Sequence, residues 1–237
     1  ITGAPYSQTM LQMQLHSRRE FGAQLKRCWR RQTGADPFYA YQSDYNHELI
    51  SSRVLFDSMP VLNADFSHVS RLSLRGLGPI TGLEDFLQQF PNLRRLKLQG
   101  IQIDRLPEVL ATMPELFELK LPDCGITLTP ESAQVLGGLE QLGIIELDNN
   151  PLGIIPDFSN MPDLLSVSMQ NCNLSEFPVS ILTRPRLQTA DFTDNAIVTL
   201  PDDIFEAPTA QTNLIFISGT ALSEQSLQRV RAYYLQT

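Results

Sequence analysis

Arg71, Arg75, Arg95, Lys97, Glu118, Lys120, Glu146, Asp148 and Asp191 lie two or four residues apart within short segments, and the segments begin 22–26 residues apart. A spacing of two puts side chains on the same face of an extended strand. Ionised groups held that way do not make or break bonds; they present a pattern of charge to another molecule. The first three segments carry five bases and one acid at these positions, and the last four carry three acids and no base. The face therefore reads as positive at one end and negative at the other, closing on an apolar pair, Leu214 and Phe216. Segregation by sign orients a protein partner and raises its association rate more than its affinity.

Bond-making chemistry lacks its usual parts. There is no Gly-rich phosphate loop, no Ser nucleophile elbow and no His-Glu-x-x-His. His16, His47 and His68 are scattered, and no pair among Cys28, Cys124 and Cys172 has metal-ligand spacing. No catalytic residue, metal site or cofactor is expected in this stretch. An odd cysteine count without cysteine-dense caps fits a reducing compartment better than the disulfide-capped repeats of extracellular receptors. The net charge of −8 disfavours nucleic acid as a partner. No apolar run approaches the ~18 residues of a membrane span. The chain opens Ile1-Thr2-Gly3 rather than Met, which predicts a piece of a longer protein, so a missing targeting signal carries no weight.

A repeat must position the charged residues. Between Val69 and Leu222 the pattern L-x-x-L-x-L-x-x-N/C-x-L is written six times, with a frayed seventh. Positions one, four and six are Val69, Leu72, Leu74; then Leu93, Leu96, Leu98; Leu116, Leu119, Leu121; Leu142, Ile145, Leu147; Leu164, Val167, Met169; and Leu187, Ala190, Phe192. Ile215, Ile217, Thr220 and Leu222 carry the frayed copy. That period and template are the signature of leucine-rich repeats. Each copy supplies a parallel strand with positions four and six in the core, and only stacking buries that face. Each buried Leu or Ile contributes roughly 1.5–3 kcal/mol. Position nine usually holds Asn or Cys, which satisfies backbone groups of the following turn. Here it runs Leu77, Ile101, Cys124, Asn150, Cys172, Asn195, Thr220, which predicts a more apolar turn in the first two copies. After the strand, Leu106-Pro107, Ile155-Pro156, Phe177-Pro178 and Leu200-Pro201 end the turn, because Pro cannot donate a ladder hydrogen bond.

The expected architecture is an α/β solenoid. It is a right-handed leucine-rich-repeat horseshoe with a parallel β-sheet on the concave face, a helical N-terminal cap and a C-terminal cap helix. The cap region spans 1–45 and the repeats 46–222, with a degenerate first repeat at 46–68 and a degenerate last one at 212–222; 223–237 is a C-terminal cap or a linker helix leading into a further domain. Residues 1–8 read as a loose lead-in. Residues 9–32 read as helix with an apolar stripe of Leu11, Leu15, Phe21, Leu25, Cys28 and Trp29. Residues 11–31 carry six Lys/Arg against one Glu. This reads as a solvated face on a capping helix, the other reading being a membrane or acidic-partner surface. Residues 33–45 are turn-rich and aromatic, with Phe38, Tyr39, Tyr41 and Tyr45. In the degenerate first repeat Leu49 and Ser51 fill the strand positions, a polar residue replacing the second Leu. Leu83–Phe90 reads as a convex helix, and Thr129-Pro130-Glu131 as a helix start. Ser223 caps a last helix whose apolar side is Leu227, Val230 and Tyr234.

Three stretches carry a family resemblance: Phe21 to Trp29-Arg30-Arg31, then Ala64-Asp65-Phe66-Ser67-His68-Val69-Ser70-Arg71-Leu72, then Phe90-Pro91-Asn92-Leu93-Arg94. Together they resemble the repeat region of large bacterial effectors of the NEL class, the IpaH-type ubiquitin ligases, as found in Pseudomonas-like bacteria. Ile217-Ser218-Gly219-Thr220-Ala221-Leu222-Ser223 also looks like their exit, a Gly-Asn-Pro-Leu-Ser type motif, with Thr220-Ala221 in place of Asn-Pro. The resemblance implies repeats that recognise host protein substrates through the concave face, secretion by the bacterium, and action in the host cell cytoplasm. It also implies a helical ligase domain with a Cys-x-Asp motif, which would engage the ubiquitin-conjugating enzyme and ubiquitin. Cys28 is followed by Trp29-Arg30, Cys124 by Gly125-Ile126 and Cys172 by Asn173-Leu174, so the catalytic part is expected elsewhere. A stand-alone repeat adaptor or scaffold with no linked enzyme remains the other reading. A receptor-like ligand sensor is a third, disfavoured by the cysteine pattern.

Overall fold

The computed structural model describes residues 8–33 and 47–236. The lead-in at 1–7 and the aromatic segment with Phe38, Tyr39, Tyr41 and Tyr45 lie outside the described residues. The chain runs α1 (Gln8–Trp29), β1 (His47–Val54), β2 (Val69–Pro79), α2 (Leu83–Leu87), β3 (Arg95–Gln102), β4 (Glu118–Lys120), α3 (Pro130–Gly137), β5 (Ile144–Glu146), β6 (Ser166–Ser168), β7 (Thr189–Asp191), α4 (Asp203–Glu206), α5 (Thr209–Thr212), β8 (Ile215–Phe216) and α6 (Glu224–Gln236). Two 3-10 turns, Glu108–Thr112 and Val179–Thr183, complete the helical side.

The eight strands form one parallel sheet in sequence order. Position four aligns as an unbroken row, Leu49, Leu72, Leu96, Leu119, Ile145, Val167, Ala190 and Ile215. From Leu49 to Ala190 this row is buried. The alternation of strand side chains leaves no other register, because a slip of one residue would turn every core residue outward. Ser51 pairs with Leu74 and is buried, the polar substitute expected in the first repeat.

Position nine works as a polar spine where Asn fills it. Asn150 Oδ1 accepts from the backbone N–H groups of Cys124 and Ile126, both at 3.0 Å, while its Nδ2 donates to Leu121 O and Leu147 O at 2.7 Å. Asn195 repeats this two turns along, serving Cys172, Leu174, Met169 and Phe192. One side chain thus ties its own turn to the preceding one. The Cys124 and Cys172 thiols donate to Leu98 O and Leu147 O at 3.3 and 3.2 Å.

The first copies behave differently from the apolar turn expected of them. Ile101 is buried, but Leu77 is 84% exposed. Without a polar side chain to catch the turn, pairing simply continues, and β2 and β3 run to eleven and eight residues where β4 to β7 have three each. A register shift between Arg75 and Gly78 brings Gly78, not Leu77, opposite Ile101. Gly76 faces inward; a Cβ there would lie 2.8 Å from Val54 O, so only glycine lets β1 approach. Leu77 follows on the outward side.

α1 covers the first repeat, but with a narrower stripe than expected. Ser17, Phe21, Leu25 and Cys28 are buried, whereas Leu11, Leu15 and Trp29 are about half exposed. Helical spacing alone could not choose among overlapping stripes; the docking angle does. Ser17 Oγ donates to Arg53 O at 2.6 Å and accepts from Leu55 N–H, stitching the helix to the end of β1. Phe21 packs on Phe56 and Phe86, with ring centroids 5.3 and 5.9 Å apart. The Asp65–Val69 stretch pins the other end of the helix. Asp65 Oδ1 accepts from Ser67 N–H, Phe66 is buried, and buried His68 has its Nε2 2.9 Å from Cys28 O.

On the helical side Thr129 caps α3 in a capping box with Ser132, and Pro130 sits in its first turn. The Glu84 carboxylate, at the start of α2, accepts from the N–H groups of Glu108 and Val109 in the next repeat. At the far end Ser223 Oγ accepts from Ser226 N–H and caps α6. The docked side of α6 includes buried Ser226, Val230 packed on the core and Tyr233, whose hydroxyl donates to Ala207 O. The side chain of Tyr234 lies outside the described residues.

All three cysteines are free and fully buried, Cys28 included. Burial pushes the Cys28 thiol up to about 11 and the Cys124 and Cys172 thiols up to about 12. Thiolate is the reactive form. Maleimide labelling of the native chain at neutral pH is therefore expected to leave all three unmodified until the protein is unfolded. Rapid modification of Cys124 or Cys172 in the native state would mean that the repeat register is wrong.

Candidate protein-binding surface

The parallel register sets the outward side chains in rows across the concave face. Row three reads Arg71, Arg95, Glu118, Ile144, Ser166, Thr189, and row five reads Ser73, Lys97, Lys120, Glu146, Ser168, Asp191, Phe216. Row seven begins with Arg75 beside Gln99. All of the expected surface residues stand on this one face, so the sheet brings together charges far apart in sequence.

Most of them are engaged with one another. Arg71 Nη1 lies 3.3 Å from Glu48 Oε2. Arg95 Nε is 3.5 Å from Glu118 Oε2, Lys120 Nζ is 3.5 Å from Glu118 Oε1, and the same Nζ is 3.5 Å from Glu146 Oε2. The register explains this. Arg71 adjoins Arg95, and Lys97 adjoins Lys120, and like charges side by side in a sheet repel. Glu48, Glu118 and Glu146 interleave them. Glu48 was not among the expected residues because it sits in the degenerate repeat. Its place before Leu49, a position-four residue, was the available signal.

Three bases and three acids in this network cancel. The charge left over sits at the two ends. Arg75 and Lys97 have no ion-pair partner among the described residues. Asp148 accepts from Ser168 Oγ at 2.7 Å and Gln170 N–H at 2.9 Å, and Asp191 accepts from Thr193 N–H at 3.0 Å. Neither meets a cation within ion-pair distance among the described residues. The positive-to-negative polarity thus survives, carried by fewer residues than expected. Phe216, half exposed on β8, closes the negative end beside half-buried Leu214.

Position eight escaped the sequence reading. Gly100, Asp123, Asn149, Asn171, Asp194 and Gly219 all have positive φ, between 52° and 70°. Gly, Asn and Asp tolerate that conformation best, and their recurrence before position nine was a legible sign. Asn149 Nδ2 donates to Asp123 Oδ1 and Asn171 Nδ2 to Asn149 Oδ1, lining the sheet's edge with a second polar chain.

Among the described residues no group of His, Cys, Asp or Glu could hold a metal ion, and no helix is long and apolar enough to cross a membrane.

No family model matches the chain. Among curated proteins, Receptor-like protein 7 of Arabidopsis thaliana is 28% identical over 142 residues, which is 58% of this chain and 14% of that protein. Among solved structures, a leucine-rich-repeat protein of Leptospira interrogans aligns with a TM-score of 0.56 at 17% identity, covering 72% of this chain and 48% of that one. An internalin of Listeria monocytogenes aligns with a TM-score of 0.49 at 18% identity, over 65% of this chain and 42% of that one. The chain spans less than half of each of these proteins. The Leptospira likeness and the sheet register agree on the leucine-rich-repeat fold.

Proposed function

We propose that this chain is a protein-recognition module whose partner lies across the concave face. The observation that carries this reading is the internal cancellation of charge in the middle of the sheet, which leaves Arg75 and Lys97 at one end and Asp148 and Asp191 at the other. A rigid surface with a fixed dipole selects partners by charge pattern and accelerates their encounter. The plant relative is named receptor-like, and recognition by shared repeats fits that name.

The finer proposal is that the module selects host substrates for a bacterial NEL-class ubiquitin ligase effector acting in the host cell cytoplasm. The family-like stretch Asp65–Val69 supports this reading, because its His68 bonds Cys28 O of α1 while its Phe66 packs on His68 and Phe90. Three free buried thiols suit a reducing compartment. The ligase chemistry, with its ubiquitin-conjugating enzyme and ubiquitin, belongs to a separate domain in this proposal. Residues 1–237 incubated with a charged conjugating enzyme are then expected to form no reducible ubiquitin adduct, since no thiol here is exposed or readily ionised. An adduct on Cys28, Cys124 or Cys172 in a non-reducing gel would sink that division of labour.

A second reading is an adaptor or scaffold with no linked enzyme, which the same charged concave face would serve equally, and α6 is compatible with both. α6 closes the last repeat through Ser226, Val230 and Arg229, whose guanidinium stacks 4.2 Å over Phe205. Ubiquitin transfer by the full-length protein separates the two readings: activity supports the effector, and its absence supports the adaptor.

A further inference from the structure

The geometry points to an anchor for an acidic peptide segment at Arg75, Leu77 and Lys97, a proposal that rests on the concave face being the recognition surface. Arg75 and Leu77 alternate outward on β2. Lys97 lies on β3 opposite Ser73, so it is the diagonal neighbour of Arg75, whose own partner is Gln99. Diagonal neighbours in a sheet are within reach of one extended ligand. Ile50, 42% exposed, faces the same way on β1, also opposite Ser73.

Three observations single this place out. Arg71 and Arg95 spend their charge on Glu48 and Glu118, whereas Arg75 and Lys97 have no counter-ion among the described residues. Leu77 is 84% exposed, and nothing in the fold requires an apolar side chain there: the core position beside it is filled by Gly76, and register passes to Gly78. A lone exposed leucine is ordinary. A leucine two residues along the strand from Arg75, with Lys97 on the far diagonal of that arginine and neither cation holding a counter-ion among the described residues, is a preorganised anchor that loses little freedom on binding. The complementary ligand is an extended protein segment with one apolar side chain and, all to one side of it, Asp or Glu residues. The apolar group covers Leu77 and the carboxylates take Arg75 and Lys97.

Selection of phage-displayed random peptides on the whole chain tests this. Enriched peptides are expected to carry an apolar residue with acids on one side of it. Their affinity is expected to fall on the order of tenfold in the double variant Arg75→Ser/Lys97→Ser, and to fall clearly in Leu77→Ser. The paired cations serve as the control: Arg71→Gln/Arg95→Gln is expected to retain most of the binding. Circular dichroism checks that each variant is folded. Enrichment of peptides without acids, equal loss in both double variants, or no enrichment overturns the anchor. Peptides that lose binding only on Asp148→Asn/Asp191→Asn overturn the anchor while the concave-face reading stands. Peptides that bind all of these variants like the parent overturn both.

Discussion

Replacing Asn150 by Leu is expected to lower the unfolding free energy by about 3–4 kcal/mol, several times the effect of a typical surface substitution. The side chain is fully buried and makes four bonds of 3.0 Å or less to backbone groups of two successive repeats. Leu has a similar volume, so little cavity opens. The cost comes instead from the N–H groups of Cys124 and Ile126 and the carbonyl of Leu121, left buried without partners at roughly 1–3 kcal/mol each before relaxation, while Leu147 O keeps only the Cys172 thiol. Because repeat arrays are held together by neighbour interfaces, damage at one interface also loosens the coupling between the segments on either side. Urea unfolding is therefore expected to show a lower midpoint and a shallower, less cooperative transition. A variant within about 1 kcal/mol of the parent would mean that the asparagine spine is dispensable and that the apolar rows alone hold the turn.

That spine also marks how far the sequence could be read. Period and core rows were legible because burial demands an apolar residue at each position four, and Leu72, Leu96, Leu119 and Ile145 meet that demand identically. Asn150 and Asn195 were legible for the same reason: a buried amide must find backbone partners. Leu77 was misread because a pattern counts residues, whereas the strand counts hydrogen bonds. With no polar side chain to halt pairing, β2 ran on and the extra residue turned outward. The stripe of α1 was read too broadly because Leu11, Leu15 and Trp29 fit helical spacing as well as Phe21, Leu25 and Cys28 do, and only the fit against Phe56 and Phe86 decides. The concave residues were placed on the correct face, but their mutual pairing was not legible. It depends on Glu48 in a repeat too degenerate to align with ease, and on side-chain reach between neighbouring strands.

The pairing changes what charge reversal on this face should do. Changing Arg71, Arg75, Arg95 and Lys97 together to Glu is expected to abolish binding of the partner protein, because like-charge contacts across an interface cost several kcal/mol in total. The outward direction of these side chains alone would suggest an undisturbed fold. The ion pairs make a different demand. New carboxylates at 71 and 95 would stand beside Glu48 and Glu118, in rows where strands adjoin. Partly exposed pairs are worth about 0–1 kcal/mol each, so the reversal is expected to cost about 1–2 kcal/mol of stability while the core rows keep the array folded. At low salt the association rate should fall more than the dissociation rate rises, and the difference should shrink as screening shortens the reach of the charges. Stopped-flow or surface binding kinetics at two ionic strengths, on variants that circular dichroism shows to be folded, supply the measurement. A quadruple variant that binds like the parent at both salts would remove the concave face from the recognition surface. Attention would then move to the exposed basic side of α1, where Arg19, Lys26 and Arg27 face solvent.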